Sequence, residues 1–277
     1  MRVLVSADME GATGVTWPDD CEPGNPAWQR CRALFTSDVN AAIAGFFAGG
    51  ATSVLVNEAH ATMRNLLLEQ LDPRAEMLTG RHKDLTMVEG VQHPDVSGLA
   101  FVGYHAGAGA EGVLAHTYLA NSITQVAVDG VPASEGYLNS LVAAEFGVPV
   151  VLVTGDDRAC ADAASYAPDA VTAAVKDCVS RYAAVCRPPA VTFEQIRAAA
   201  EQAARLCTRA EPVSGRGFEV EVEFDASHLA AATAGVPTVR RTDVRRVAFT
   251  TDTAYAMIRT FRTVVTVAAA AIENAYG

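Results

Sequence analysis

The chain has 277 residues, half of them hydrophobic, and 32 acidic residues against 21 basic ones give a formal net charge of −11. This length can bury one large core or two modest ones, and the composition excludes a fibrous or disordered chain. No lysine and arginine cluster interrupts the acidic balance, which argues against nucleic acid as a partner.

The first ten residues lack the basic start and apolar stretch of a signal peptide. The longest apolar runs, such as 264–272, are far too short to span a bilayer, so we expect no membrane segment. The six cysteines form no C-x-x-C pair, which favours reduced thiols. The sequence therefore predicts a cytoplasmic protein.

Strands and helices are predicted to alternate along the first 187 residues. The strands are expected at residues 2–7, 53–57, 99–104, 123–128 and 148–154, and the helices at 28–48 and 135–146. Glycines follow both helices and act as stop signals. This alternation is typical of an α/β fold with a mostly parallel sheet flanked by helices.

A change in pattern follows Pro188-Pro189. We predict an α/β domain at residues 1–187 and a smaller α+β domain at 188–277, with a role in oligomerisation. Thr192 to Gln195 has the form of a capping box and predicts a helix that ends near Cys207. Alternating apolar residues and glutamates at 218–224 predict a half-exposed antiparallel strand, and Thr251-Asp252 is expected to cap a long last helix.

Two carboxylates stand two residues apart directly after the first strand. Asp8 and Glu10 would point to the same side of an extended chain. Two anions in that arrangement repel each other unless a cation or a proton lies between them. The pair alone is equally compatible with an acidic solvated loop and with a cation site.

Histidines follow the next two strands along the chain. His60 comes after the second strand and His105 after the third, while Glu135 begins a helix. Ligands bind beyond the carboxyl ends of the strands in open parallel sheets, so we expect both histidines on the same rim as the acidic pair. Each histidine alone could be an ordinary hydrogen-bonded residue, but their coincidence favours a metal site. Such mixed ligands suit Zn²⁺, with Mn²⁺ or Co²⁺ as alternatives.

The residues resemble those of a known family, the zinc D-aminopeptidases of the DppA type. The resemblance covers nearly the whole chain and rests on short motifs that occur in the same order and at matching spacing. These motifs are Ser6 to Gly11, Val56 to His60, Met87 to Gly90, Gly103 to Ala106, Ala115 to Thr117, Glu135-Gly136 and Gly155 to Arg158. Each motif is weak by itself, and together they are specific.

The resemblance implies two zinc ions per subunit and a homodecamer of two stacked pentameric rings. The implied metal ligands are Asp8 as the bridge, Glu10 with His105 at one ion, and His60 with Glu135 at the other. The family's catalytic histidine corresponds to His116, for which a nucleophilic role has been proposed. We favour a role as proton carrier or in support of the oxyanion, because activated water would already supply the nucleophile.

The implied activity is that of a metal-dependent aminopeptidase for short peptides with an N-terminal D-amino acid, typically D-Ala, with water activated by two zinc ions. An L- or β-aminopeptidase, or another small-amide hydrolase on the same site, stays open. So does a non-enzymatic metal- or solute-binding protein, although such a protein needs no proton carrier. Glu89 and Glu111 are candidates to bind the substrate ammonium. The chain departs from the family at Ala59 and in the glycine-rich loop 107–112, which bears on substrate preference.

Overall fold

A computed structural model of the chain describes residues 1–273. The strands are β1 (Arg2–Ala7), β2 (Ser53–Glu58), β3 (Glu76–Leu78), β4 (Val96–Tyr104), β5 (Ile123–Val128), β6 (Val131–Pro132), β7 (Val150–Asp156), β8 (Val171–Ser180), β9 (Ala183–Cys186), β10 (Phe218–Phe224), β11 (Arg240–Asp243) and β12 (Arg246–Thr251). The helices are α1 (Pro26–Ala48), α2 (Glu135–Glu145), α3 (Asp157–Asp162), α4 (Pro189–Ala203), α5 (Ser227–Thr233) and α6 (Ala254–Ala270).

The first sheet has the strand order β3-β2-β1-β4-β7-β8-β9, and its members are parallel except at the β8–β9 pair. Residues of β1 such as Val3, Leu4 and Val5 are fully buried, because helices and further structure cover both faces of the sheet. Apolar clusters fill the space on each side. The α/β class and the mostly parallel sheet are therefore confirmed.

The second sheet is antiparallel and has the order β11-β12-β10-β5-β6. The strand β10 has the predicted bounds, with Val220 and Val222 buried and Glu219 exposed. The strand β5 was expected beside the parallel strands, but it pairs with β10 instead. Its polar positions Thr124 and Gln125 explain the difference, because a strand with one wet face does not suit the interior of a buried parallel sheet.

Two helix starts differ from the prediction. The helix α4 begins at Pro189, which is favoured at a first helical position because its φ is already fixed. Thr192 therefore lies inside the helix and forms no capping box. The helix α6 is capped by Thr253, whose hydroxyl oxygen accepts from the N–H of Ala256 at 3.0 Å, rather than by the two residues before it.

Among residues 1–273, no helix combines the length and the apolar character needed to cross a bilayer.

Residues beyond 188 contribute to both layers of the molecule. The helix α4 packs closely on α1, where a Cβ at Gly45 would lie 2.1 Å from the carbonyl oxygen of Arg197. The strands β10–β12 join β5 and β6 from the earlier half of the chain in one sheet. The division into two domains at residue 188 stays a prediction.

Candidate metal centre

Six side chains that the sequence singled out meet at the carboxyl edge of the first sheet. The parallel pairing of β1 with β2 and β4 brings the residues after these strands to the same edge, and α2 adds its first residue. The exposed fractions are Asp8 2%, Glu10 7%, His60 8%, His105 3% and Glu135 4%, and the side chain of His116 is 14% exposed. The predicted rim is thus one compact, buried cluster.

Two glycines let the ends of β1 and β4 approach each other closely enough to form this cluster. A Cβ at Gly11 would lie 1.9 Å from the carbonyl oxygen of Tyr104, and one at Gly103 would lie 2.1 Å from that of Asp8. Gly103 also has a φ of 75°, a left-handed conformation that glycine adopts without strain. The N–H of Asp8 donates to Val102, and that of Gly11 donates to Gly103, both at 2.8 Å. These contacts explain why the glycines adjoin the acidic pair and the histidine.

The shortest distances within the cluster join Glu10 to His60 and Asp8 to His105. His60 Nε2 lies 3.1 Å from Glu10 Oε1. His105 Nε2 lies 3.3 Å from Asp8 Oδ2 and 3.7 Å from Glu135 Oε2. The division of ligands that the resemblance implied, with Glu10 and His105 at one ion and His60 and Glu135 at the other, stays a prediction. Asp8 keeps its central position, because donor atoms of Asp8, Glu10 and His105 all lie within 4.8 Å of one another.

Backbone carbonyls orient two of the imidazole rings. Since a carbonyl oxygen only accepts, His105 Nδ1–H donates to Ala106 at 3.0 Å and His116 Nδ1–H donates to Leu114 at 2.8 Å. In the neutral rings, each Nε2 then carries a free lone pair directed to the cluster. The two rings stack with centroids 4.2 Å apart. His105 is thus prepared to bind a cation through Nε2, and His116 to accept a proton there.

The donor set fits zinc. Within residues 1–273, the buried atoms Asp8 Oδ2, Glu10 Oε2, His60 Nδ1 and His105 Nε2 have no hydrogen-bond partner. A buried polar atom left without a partner costs about 1–3 kcal/mol, which makes such a concentration unusual in a protein. Carboxylate oxygens and imidazole nitrogens are common zinc ligands, and a cation bound here would satisfy the unpartnered atoms of Asp8, Glu10 and His105.

The electrostatics lead to the same conclusion. Burial and then the Glu10 carboxylate raise the pKa of Asp8 to about 7. Burial lowers the pKa of His60, but the adjacent Glu10 carboxylate more than offsets this and raises it to about 9. Burial and the neighbouring His105 lower the pKa of His116, which favours its neutral form. In the protein alone, protons balance the buried negative charge, and a divalent cation would take their place.

Zinc binding is therefore expected to release protons and to become tighter as the pH rises. Asp8, with a pKa of about 7, and His60, with a pKa of about 9, must lose their protons to act as ligands. The same holds for His105, since burial lowers its pKa but the Glu135 carboxylate more than offsets this and raises it well above its usual range, so affinity increases throughout this pH range. Isothermal titration calorimetry at pH 7 in buffers with different ionisation enthalpies measures the number of protons released. Binding heats that do not depend on the buffer would contradict the expectation.

Lys176 supports the loop that carries Glu10. Its side chain is fully buried on β8, and Nζ donates to the carbonyl oxygens of Glu10 at 2.6 Å, Ala12 at 2.9 Å and Val15 at 2.5 Å. The ammonium group thus joins three carbonyls of one turn and fixes its path. Sequence reasoning did not identify this residue, because its partners lie about 160 residues earlier in the chain.

Replacing Lys176 with methionine is expected to lower the free energy of unfolding by about 3 kcal/mol, because three buried carbonyls lose their donor. Zinc content at limiting zinc should fall as well, since Glu10 is no longer held. Urea unfolding and metal analysis measure the two effects. The half-exposed Arg187→Met is the control and should stay near wild type. A Lys176→Met protein as stable as the control would refute the supporting role.

The structure places the two acids considered for the substrate ammonium outside the cleft. Glu89 accepts from the N–H of Leu85 at 2.8 Å and from the side chain of Gln92 at 2.6 Å, so its carboxylate stabilises a local turn. Glu111 is exposed and lies 3.9 Å from Arg158. Neither carboxylate is therefore positioned to bind a substrate at the cluster.

The cluster lies in a cleft of about 550 Å³, a size typical of small-molecule sites. One wall comes from α6, which sequence reasoning treated as purely structural. The α6 residues that line the cleft are Arg262, Val265, Thr266 and Ala269. The sequence feature that could have indicated this contribution of α6 is the charged residue Arg262, which directly follows the buried Phe261.

A second cleft, of about 280 Å³, reaches the same cluster and includes Cys21 and Tyr182 in its lining. Cys21 Sγ lies within 4.8 Å of donor atoms of Glu10 and His60, a proximity that spacing along the chain did not indicate. Burial and the Glu10 carboxylate raise the pKa of this thiol well above its usual range. The thiol form is thus favoured beside the cluster.

A family model and a solved structure both match nearly the whole chain, and a curated relative matches about two thirds of it. A family model described as "D-aminopeptidase" matches residues 1–263. A D-aminopeptidase of Bacillus subtilis (strain 168) is 40% identical over 192 residues, which make up 69% of this chain and 69% of that protein. A solved structure, described as "Zn-dependent D-aminopeptidase DppA from Bacillus subtilis, a self-compartmentalizing protease", is similar with a TM-score of 0.92 and 30% identity, and the match covers 97% of this chain and 98% of that one.

Proposed function

The chain belongs to the D-aminopeptidase family of enzymes, and from this premise we propose that it is a zinc-dependent aminopeptidase for short peptides with an N-terminal D-amino acid, D-Ala in particular. We further propose two zinc ions per subunit, with Asp8 between them. One ion would be held by Asp8, Glu10 and His105, whose donor atoms lie within 4.8 Å of one another, and the other by Asp8, His60 and Glu135.

One observation carries this proposal. Carboxylate and imidazole atoms without hydrogen-bond partners lie together in a buried cluster, and a histidine with a free Nε2 lies beside them at the base of a cleft. His116 faces the cluster, with Nε2 at 3.9 Å from both Glu10 and Glu135. A site that only stores metal needs no proton carrier and has no use for this additional histidine. The combination is suited to hydrolysis.

Bound zinc supplies a nucleophile at neutral pH and polarises the scissile carbonyl. The residues of the chain provide the remaining functions. His116 takes a proton through Nε2 and returns it to the leaving amine, while its Nδ1–H bond to Leu114 keeps the ring in place. The N–H of Tyr118 donates to Glu135 Oε1 at 2.7 Å and fixes the orientation of that carboxylate. Burial of the cluster excludes bulk water from the reacting groups.

We also propose that the chain forms a closed homo-oligomer, a decamer by family resemblance. The solved relative is described as a self-compartmentalizing protease. Apolar side chains on the β8–β9 hairpin are exposed, with Val179 at 67% and Val185 at 61%, and Tyr182 between them contacts Trp17. Such patches mark interaction surfaces. Native mass spectrometry measures the number of subunits and tests this proposal.

The cytoplasmic location of the protein stays a prediction.

The enzymatic proposal is tested with the peptides D-Ala-Gly and L-Ala-Gly, which differ in one stereocentre. We expect release of D-Ala by the zinc-loaded protein, little turnover of the L-peptide, and loss of activity on chelation with recovery on adding zinc. Turnover of the L-peptide alone would overturn the D preference. Turnover unaffected by complete removal of metal would overturn the zinc requirement.

A further inference from the structure

Arginines line the part of the cleft that the reaction itself does not require. Arg81 lies in the loop after β3, and Arg262 extends from α6, so the two residues come from separate elements of the same cleft. Arg262 donates to the carbonyl oxygen of Lys83 and, at 2.8 Å, to Nδ1 of His82. These residues (Arg81, His82 and Arg262) are called the basic end of the cleft below.

The basic end has positive charge to offer a ligand. Arg81 donates only at 3.4 Å, to the carbonyl oxygen of Ala61, and in residues 1–273 neither arginine forms an ion pair with a carboxylate. Arg262 is half-buried, and a guanidinium has more N–H donors than its two bonds use.

The cleft is therefore polarised, with the acidic cluster at one side and the basic end at the other. The loop with Arg81 follows β3, which is two strands away from β1 in the sheet order. At about 4.8 Å per strand, the loop with Arg81 lies roughly 10 Å from the end of β1. Tyr118 lies between them, because its N–H donates to Glu135 and its ring packs on Phe261, the residue before Arg262.

We propose that Arg262, assisted by Arg81, binds the C-terminal carboxylate of the substrate. The inference rests on the proposed aminopeptidase function and specifies its substrate class: peptides of two or three residues with a free carboxylate. With its scissile carbonyl at the cluster, an extended peptide advances about 3.3 Å per residue, so its carboxylate comes within reach of a long arginine side chain after one or two further residues. A guanidinium pairs with a carboxylate through two parallel hydrogen bonds, which makes the recognition selective.

The test compares D-Ala-Gly with its C-terminal amide, D-Ala-Gly-NH₂, on the zinc-loaded protein. Wild type should favour the acid in kcat/KM by roughly 10- to 100-fold, the size of a hydrogen bond to a charged group, mainly through KM. Arg262→Gln keeps a donor for the Lys83 carbonyl but loses the charge, and it should bring the acid-to-amide ratio close to one. Arg262→Lys should keep part of the preference.

Arg259→Gln is the matched control. Arg259 lies on the exposed face of α6, where it bonds to the hydroxyl of Tyr255 at 3.0 Å, and it does not line the cleft. This variant should keep the preference of wild type. A purely structural role of Arg262 would lower kcat/KM for both peptides alike and leave the ratio unchanged, which would overturn the inference. Equal hydrolysis of both peptides by wild type would also overturn it, whereas no hydrolysis of either would refute the proposed function itself.

Discussion

Replacing Asp8 with alanine is expected to empty both metal positions and to abolish turnover. Asp8 Oδ2 is buried without a hydrogen-bond partner, 3.3 Å from His105, and the Asp8 carboxylate also lies beside Glu10. Since both proposed ions depend on this carboxylate, its loss leaves each with an incomplete ligand set. Metal ions contribute several kcal/mol of transition-state stabilisation, so kcat should fall by roughly 1,000-fold or more.

The zinc content of Glu10→Ala shows whether the loss of both ions is specific to the replacement of Asp8. Glu10 lies with Asp8 and His105 in one group of donor atoms and would serve one ion, so this variant should keep about one zinc per subunit. Asp169→Ala, which removes an exposed carboxylate, should bind zinc as wild type does. Zinc per subunit is measured by inductively coupled plasma mass spectrometry after dialysis. Equal metal loss in Asp8→Ala and Glu10→Ala would contradict the bridging role.

The hydrophobic pattern along the sequence was sufficient to predict the strands in which it matches the burial of each face. The strand β1 carries the apolar run Val3 to Val5 because it is buried on both faces, and β10 alternates because only one face is buried. The strand β8 escaped prediction because Lys176 interrupts its apolar pattern. The charge of Lys176 is tolerated there only through carbonyls from a distant loop, which no local pattern reveals.

For the candidate site too, local sequence position predicted some features, whereas contacts with distant segments could not be predicted. The five proposed metal ligands could be found because they follow predicted strands or begin a helix, and the topology of a parallel sheet brings such positions together. His116 lies in a loop and was identified through the family resemblance. Arg262 was missed because its place in the cleft depends on how α6 packs on the first half of the chain.

Replacing His116 with alanine is expected to lower kcat by at least about 100-fold while zinc stays bound. His116 is the histidine of the cluster whose pKa is lowered, by burial and by His105, so it is neutral and able to accept a proton at neutral pH. Its Nε2 lies 3.9 Å from both Glu10 and Glu135, further than the proposed ligands lie from their partners, which is why its loss should spare the metal.

His116→Gln separates a proton carrier from a residue that only donates a hydrogen bond to the oxyanion. Glutamine can donate such a bond but cannot exchange protons at neutral pH, so a proton-transfer role predicts that both variants are impaired to a similar extent. The exposed His93→Ala is the control and should match wild type. Single-turnover rates with D-Ala-Gly, together with zinc content, decide the matter. Near-normal turnover by His116→Gln would assign the residue to oxyanion support, and near-normal turnover by His116→Ala would remove it from the reaction altogether.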